Sequence, residues 1–153
     1  MDQTSPLSEN IAVTKELASL METPVNDNAP KDYFTERDGE LFAGAHVLAD
    51  LWGAKRLDDI EYMEEAMRNA VEACGATLLH IHLHHFGEGC GVSGVAVLAE
   101  SHISVHTWPE RGFAAFDIFM CGACEPELAL PVLQKYFNPE RMDTELQKRG
   151  KIA

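Results

Sequence analysis

The sequence predicts an α+β domain, a two-layer sandwich in which an antiparallel sheet carries helices on one face. Three observations predict it. Residues 95–99 and 103–108 are two apolar stretches with the patterning of strands. Short connections join them to each other and to a further strand at 113–120, so the strands follow one another as hairpins. The whole order is strand-helix-strand-strand, then strand-strand-helix-strand, with helical spacing in only two segments of the domain. Helices on one face leave the other face of the sheet uncovered, and an uncovered face predicts a partner.

Residues 1–39 read as a poorly ordered N-terminal extension, interrupted by Pro6, Pro24, Pro30, Asn26 and Asn28. A short helix is expected at 11–21 and no catalytic residue anywhere in the extension. The domain proper is assigned to 40–153. Residues 41–52 form an Ala- and Gly-rich strand. Residues 57–74 form an amphipathic helix, because Ile60, Met63, Met67, Val71 and Cys74 recur at three- and four-residue spacing with acids opposite. Gly75 ends it. Residues 76–86 form a strand with Leu79, Ile81 and Leu83 on one side and His80, His82 and His84 on the other. The loop 87–91 follows, then the paired strands and the strand at 113–120. Residues 131–137 are helical, with Pro131 in the first turn, where its missing N–H is harmless. Residues 141–148 form the last strand.

The chain has 153 residues, 46% of them hydrophobic, which suits one domain with one core. Its net charge of −13 argues against nonspecific binding to nucleic acid or anionic membranes, and is compatible with a cationic substrate. No apolar run reaches the length of a membrane span, and the N-terminus lacks the layout of a signal peptide. Cys74, Cys90, Cys121 and Cys124 are read as free thiols of a cytoplasmic protein.

The densest chemistry lies between Gly91 and Gly122. There the polar triplet Glu100-Ser101-His102 interrupts two strands without the Gly, Pro or Asn at which strands normally break. A serine is thus held where two strands meet, with His106 and Cys121 downstream. The pieces His84-His85-Phe86, Gly91-Val92-Ser93-Gly94, Ala99-Glu100-Ser101-His102, Val105-His106-Thr107-Trp108-Pro109-Glu110 and Cys121-Gly122 occur in this order. A weaker piece, Gly44-Ala45-His46, opens the domain. In order and spacing they resemble the S-adenosylmethionine decarboxylase family in its short bacterial form, over roughly residues 40–150. The loop between Phe86 and Ser93 departs from that pattern by one extra residue.

Decarboxylating an amino acid requires an electron sink conjugated to its α-nitrogen, and a ketone on the chain can serve after forming a Schiff base. The resemblance implies that this ketone is a pyruvoyl group made from Ser101 by autocatalytic cleavage between Glu100 and Ser101. It further implies His106 as the base that takes the Ser101 α-proton, Ser93 as a supporting hydrogen-bonding group, and Cys121 as the acid that returns a proton to the substrate, a role an ordinary protonated thiol can fill. Ser101 and His106 lie on opposite faces of a regular strand, so they meet only if the chain turns at Ser101, which the hairpin reading supplies. Phe86 corresponds to the aromatic that stacks on adenine and Glu110 to the carboxylate that receives the ribose hydroxyls, with Trp108 walling the same pocket. The expected activity is decarboxylation of S-adenosylmethionine to the aminopropyl donor of spermidine biosynthesis. The expected assembly is at least a homodimer with paired sheet faces and a site between protomers, so that Phe86 and Glu110 serve the neighbour's Ser101.

Other readings use the same residues. The fold could decarboxylate ornithine or arginine, or the chain could be an uncut, inactive partner of an active paralogue; retention of Ser101, His106 and Cys121 together opposes the last. His80, His82, His84 and His85 invite a metal, but a polar sheet face is the commoner outcome and no metal is expected. Cys121-Gly122-Ala123-Cys124 has the spacing of a redox pair, yet a lone CxxC following a strand is a weak signal.

Overall fold

The computed structural model describes residues 32–152. Six strands form one antiparallel sheet in the order β4-β5-β6-β7-β3-β8. They are β3 (Gly44–Trp52), β4 (Leu78–His85), β5 (Val92–Leu98), β6 (Ser101–Trp108), β7 (Phe113–Cys121) and β8 (Arg141–Arg149). Two helices, α1 (Ile60–Ala73) and α2 (Ala129–Phe137), complete the two-layer α+β sandwich.

Alternation along the strands decides which side chains meet the helices. Val47, Ala49 and Leu51 of β3, Ile103 and Val105 of β6, and Phe116 and Ile118 of β7 are buried, as are Met63, Met67 and Ala70 of α1 and Leu133 and Phe137 of α2. Their burial against one another is the main source of stability. The intervening residues of the same strands, among them Trp52, His106, Trp108 and Phe119, lie on the other sheet face, which none of the described helices covers.

Several elements differ from the sequence reading. The strand expected at 41–52 breaks at Ala43. Its first part is β2 (Glu40–Phe42), which pairs with β1 (Thr35–Arg37) in a separate two-stranded sheet. Residues 35–37, assigned to the extension, are therefore paired backbone. The short helix expected at 11–21 lies outside the described residues. α1 begins three positions later than expected, at Ile60, because the Asp59 carboxylate accepts the Tyr62 N–H at 3.0 Å and caps the helix there. Gly75, at φ 72°, follows its end as expected.

The largest difference is in β4. The register shifts between Leu78 and His80, which pair with the consecutive residues Leu98 and Val97. Leu79 has no partner in the ladder and is 63% exposed. The bulge puts Leu78 in phase with Ile81 and Leu83 on the core side, and Leu79 leaves that face.

Leu133 is fully buried and fixes α2 to the core. Leu133→Ala should destabilise the fold by about 2–5 kcal/mol, read as a lowered denaturation midpoint at unchanged slope.

Candidate active site

β5 and β6 are joined by Ala99 and Glu100 alone, since Leu98 and Ser101 pair across the ladder. A two-residue hairpin normally requires positive φ at its central residues and recruits Gly or Asn for it. Neither Ala99 nor Glu100 takes a positive φ; Ser101 does, at 135°. That value is close to forbidden for a residue with a Cβ and stores strain at the bond between Glu100 and Ser101.

Neighbouring groups hold this bond. The Cys121 N–H donates to the Glu100 carbonyl at 3.0 Å, and the Ala99 N–H to the Thr77 carbonyl at 3.0 Å. The Glu100 carboxylate accepts the Thr77 N–H at 2.9 Å and the Thr77 hydroxyl at 3.0 Å. Cys121 ends β7 beside the start of β6, because Ser101 pairs with Met120. It is half-buried and free. Gly122, next to it, donates its N–H to the Tyr33 carbonyl at 2.9 Å and accepts the Thr35 hydroxyl at 2.8 Å. Residues 33–35 thus fasten the corner that follows Cys121.

Burial pushes the Cys74 thiol up to about 12, and burial also raises Cys124, with Glu100 and Cys121 adding to it, so neither is a ready thiolate. His102 sits edge-on to His46 at 6.4 Å and to Phe119 at 5.9 Å. Burial first, and the neighbouring His46 second, lower its pKa, which favours the neutral ring. His46 also bonds Asp117 at 3.0 Å.

A second group lies at the other end of β6. Phe86, Ser93, His106, Trp108 and Glu110 line a cavity of about 550 Å³ together with Gly89, Cys90, Gly91 and Thr107. Ser93 pairs with His106 across the ladder, and Ser93 Oγ lies 2.8 Å from His106 Nδ1. The glycines flanking Ser93 have a steric reason: a Cβ on Gly91 would strike the Thr107 carbonyl, and one on Gly94 the His82 carbonyl. Phe86 is 61% exposed and meets His84 edge-on at 4.7 Å. Trp108 is 41% exposed and stacks on Phe113 at 5.3 Å, while Phe113 stacks on Trp52 at 4.4 Å. Glu110 lies in the 3-10 turn Pro109–Arg111 that follows β6.

Within one chain these groups remain apart. The reversal occurs at Ala99 and Glu100, before Ser101, so Ser101 starts β6 and His106 lies farther along the same strand. At about 3.3 Å per residue the two are roughly 16 Å apart. The expectation that a turn at Ser101 brings them together within one chain is corrected by this register. Glu100, Ser101 and Cys121 form one cluster and Phe86, Ser93, His106, Trp108 and Glu110 another, the two candidate half-sites.

Sequence reasoning missed Thr77 and the docking of Tyr33 and Thr35 on Gly122. Thr77 stands outside every motif, and its contact with Glu100 spans 23 positions. Among the described residues, no group of three or more His, Cys, Asp or Glu is placed to hold a metal ion, and no helix is long and apolar enough to cross a membrane.

Residues 45–150 match the family model described as S-adenosylmethionine decarboxylase. A protein of Thermomicrobium roseum named S-adenosylmethionine decarboxylase proenzyme is 47% identical over 111 residues, 72% of this chain and 96% of that one. A Methanococcus maripaludis protein of the same name is 48% identical over 112 residues, 71% of this chain and 91% of its own. The crystal structure of the adenosylmethionine decarboxylase from Aquifex aeolicus superposes with a TM-score of 0.66 at 36% identity, covering 73% of this chain and 94% of that one.

Proposed function

The chain belongs to the S-adenosylmethionine decarboxylase family, and we propose that it acts as one by cutting itself between Glu100 and Ser101 and using the new terminus of residue 101 as its electron sink. The activity is decarboxylation of S-adenosylmethionine for polyamine biosynthesis, specifically to the aminopropyl donor of spermidine. The observation that carries the cleavage is the φ of 135° at Ser101, beside a Glu100 carbonyl already bonded by the Cys121 amide.

The chemistry follows from those groups. The Ser101 hydroxyl adds to the Glu100 carbonyl carbon, and the negative charge on oxygen is received by the Cys121 N–H. The carbon–nitrogen bond then breaks, leaving an ester and a free amine on residue 101 and releasing the backbone strain. Removal of the Ser101 α-proton expels the Glu100 carboxylate and cuts the chain. Water then replaces ammonia on residue 101, leaving a pyruvoyl group at the terminus. An exposed turn with a strained serine and a polarised carbonyl fits the formation of this group. A ketone there supplies the electron sink that decarboxylation next to an amine requires. Cys121, adjoining the cut, holds the proton destined for the substrate α-carbon.

The base and the adenosyl pocket are supplied by a second copy. The open sheet face and the distance between the half-sites support a dimer with paired sheet faces. A two-fold axis between the half-sites brings each Ser101 to the other chain's Ser93 and His106, and closes two equivalent sites. Phe86 and Trp108 give adenine and the sulfonium an aromatic face, and Glu110 receives the ribose hydroxyls. Ornithine or arginine would leave these three residues without a role. The decarboxylase domain of this reading spans 40–153 and the extension 1–39. Its thiols, all free, suit the cytoplasm.

Two predictions follow from the shared site. Ser101→Ala and His106→Ala chains should each stay uncut when made alone. Made together, the His106→Ala chain should be cut, because the Ser101→Ala copy lends it His106; a gel showing only full-length protein would refute the exchange. Glu110→Gln should leave cutting unchanged and raise the KM for S-adenosylmethionine by about tenfold, the cost of weakening a hydrogen-bonded charge. An unchanged KM would remove Glu110 from the ribose contact.

A further inference from the structure

We infer that Thr77 is a positioning residue for self-cleavage, clamping the Ala99-Glu100 turn so that its strain falls on Ser101; this rests on the self-cleavage reading above. Thr77 immediately precedes β4 and belongs to neither half-site. Its carbonyl accepts the Ala99 N–H, its N–H donates to Glu100 Oε2, and its hydroxyl donates to Glu100 Oε1. Three groups of one residue therefore hold both residues of the turn.

The clamp answers a question the backbone poses. A two-residue turn without Gly or Asn can shed strain by fraying, opening the pairing of Leu98 with Ser101. The Glu100 side chain, tied on its outer side to Thr77, and the Glu100 carbonyl, tied on the other to Cys121, keep this turn from relaxing. Ser101, paired to both Leu98 and Met120, then has to absorb the misfit at φ 135°. The hydroxyl of Thr77 supplies one bond to a carboxylate, stronger than a neutral one even at this exposed position. Its loss lets Glu100 swing away from the β4 end of the clamp, lowering the fraction of chains whose Glu100 carbonyl is held for attack.

The test follows the rate of cutting after cell-free synthesis of full-length chain, with Thr77→Val, which keeps the β-branch, and Thr77→Ser, which keeps the hydroxyl. Thr77→Val should slow cutting about tenfold, the value of one hydrogen bond to a carboxylate. Thr77→Ser should cut within about twofold of the parent, as retention of the hydroxyl requires. Glu100→Ala should also slow cutting, and adding Thr77→Val to it should cost nothing more, because Glu100→Ala already removes the acceptor of the Thr77 hydroxyl. Parent-like cutting by Thr77→Val, equal slowing by Thr77→Ser, or additive losses in the double variant would each overturn the clamp while leaving self-cleavage standing. A parent chain that is never cut would instead overturn self-cleavage itself and the clamp with it.

Discussion

Leu98 and Ser101 face each other across the β5–β6 ladder, so Ala99 and Glu100 alone must reverse the chain. Hairpins of this length normally place the required positive φ on Gly or Asn inside the turn. Here it falls on the residue after the turn, and that residue is a serine. The sheet cannot relieve the misfit by slipping, because a shift of one residue would turn Ile103 and Val105, both fully buried, toward the open face. Packing of α1 and α2 on the opposite side therefore maintains the strain at Ser101, and on the proposed reading it couples core stability to the reactivity of one peptide bond.

The same straight strand separates the chemistry. β6 carries Ser101 at its first position and His106 at its sixth, with Glu110 beyond its end. A rigid, fully paired strand cannot fold back to join them. On the proposed reading a two-fold axis supplies the missing half to each copy, with one open face serving as both donor and recipient. The aromatic and histidine side chains of that face, His46, His102, Trp108 and Phe119 among them, are set in order by the pleat.

What could be read from sequence tracks how locally each feature is encoded. Ile103 to His106 alternates apolar and polar residues, and α1 repeats its apolar residues at helical spacing, so the α+β sandwich was legible. The position of Ser101 between two strands was legible too, because Glu100-Ser101-His102 lacks any ordinary turn residue. β4 was misread on one side, because a bulge at Leu79 shifts the phase of the alternation and leaves no mark in residue type. The meeting of Ser101 with His106 in one chain was misread for a related reason. The sequence contains a hairpin, but which two residues make its turn is fixed by pairing with β7 as much as by local preference. Thr77 was invisible, being an ordinary threonine whose contact with the turn spans 23 positions.

The central claim is that strain at Ser101 ends in a break at that residue and a ketone in its place. Intact-mass spectrometry of the purified full-length chain under denaturing conditions tests it directly. The account predicts two fragments, one ending at Glu100 and one beginning at position 101 that is lighter by the mass of ammonia than a serine-terminated fragment. A single full-length mass, or a second fragment that retains the serine amine, would contradict it.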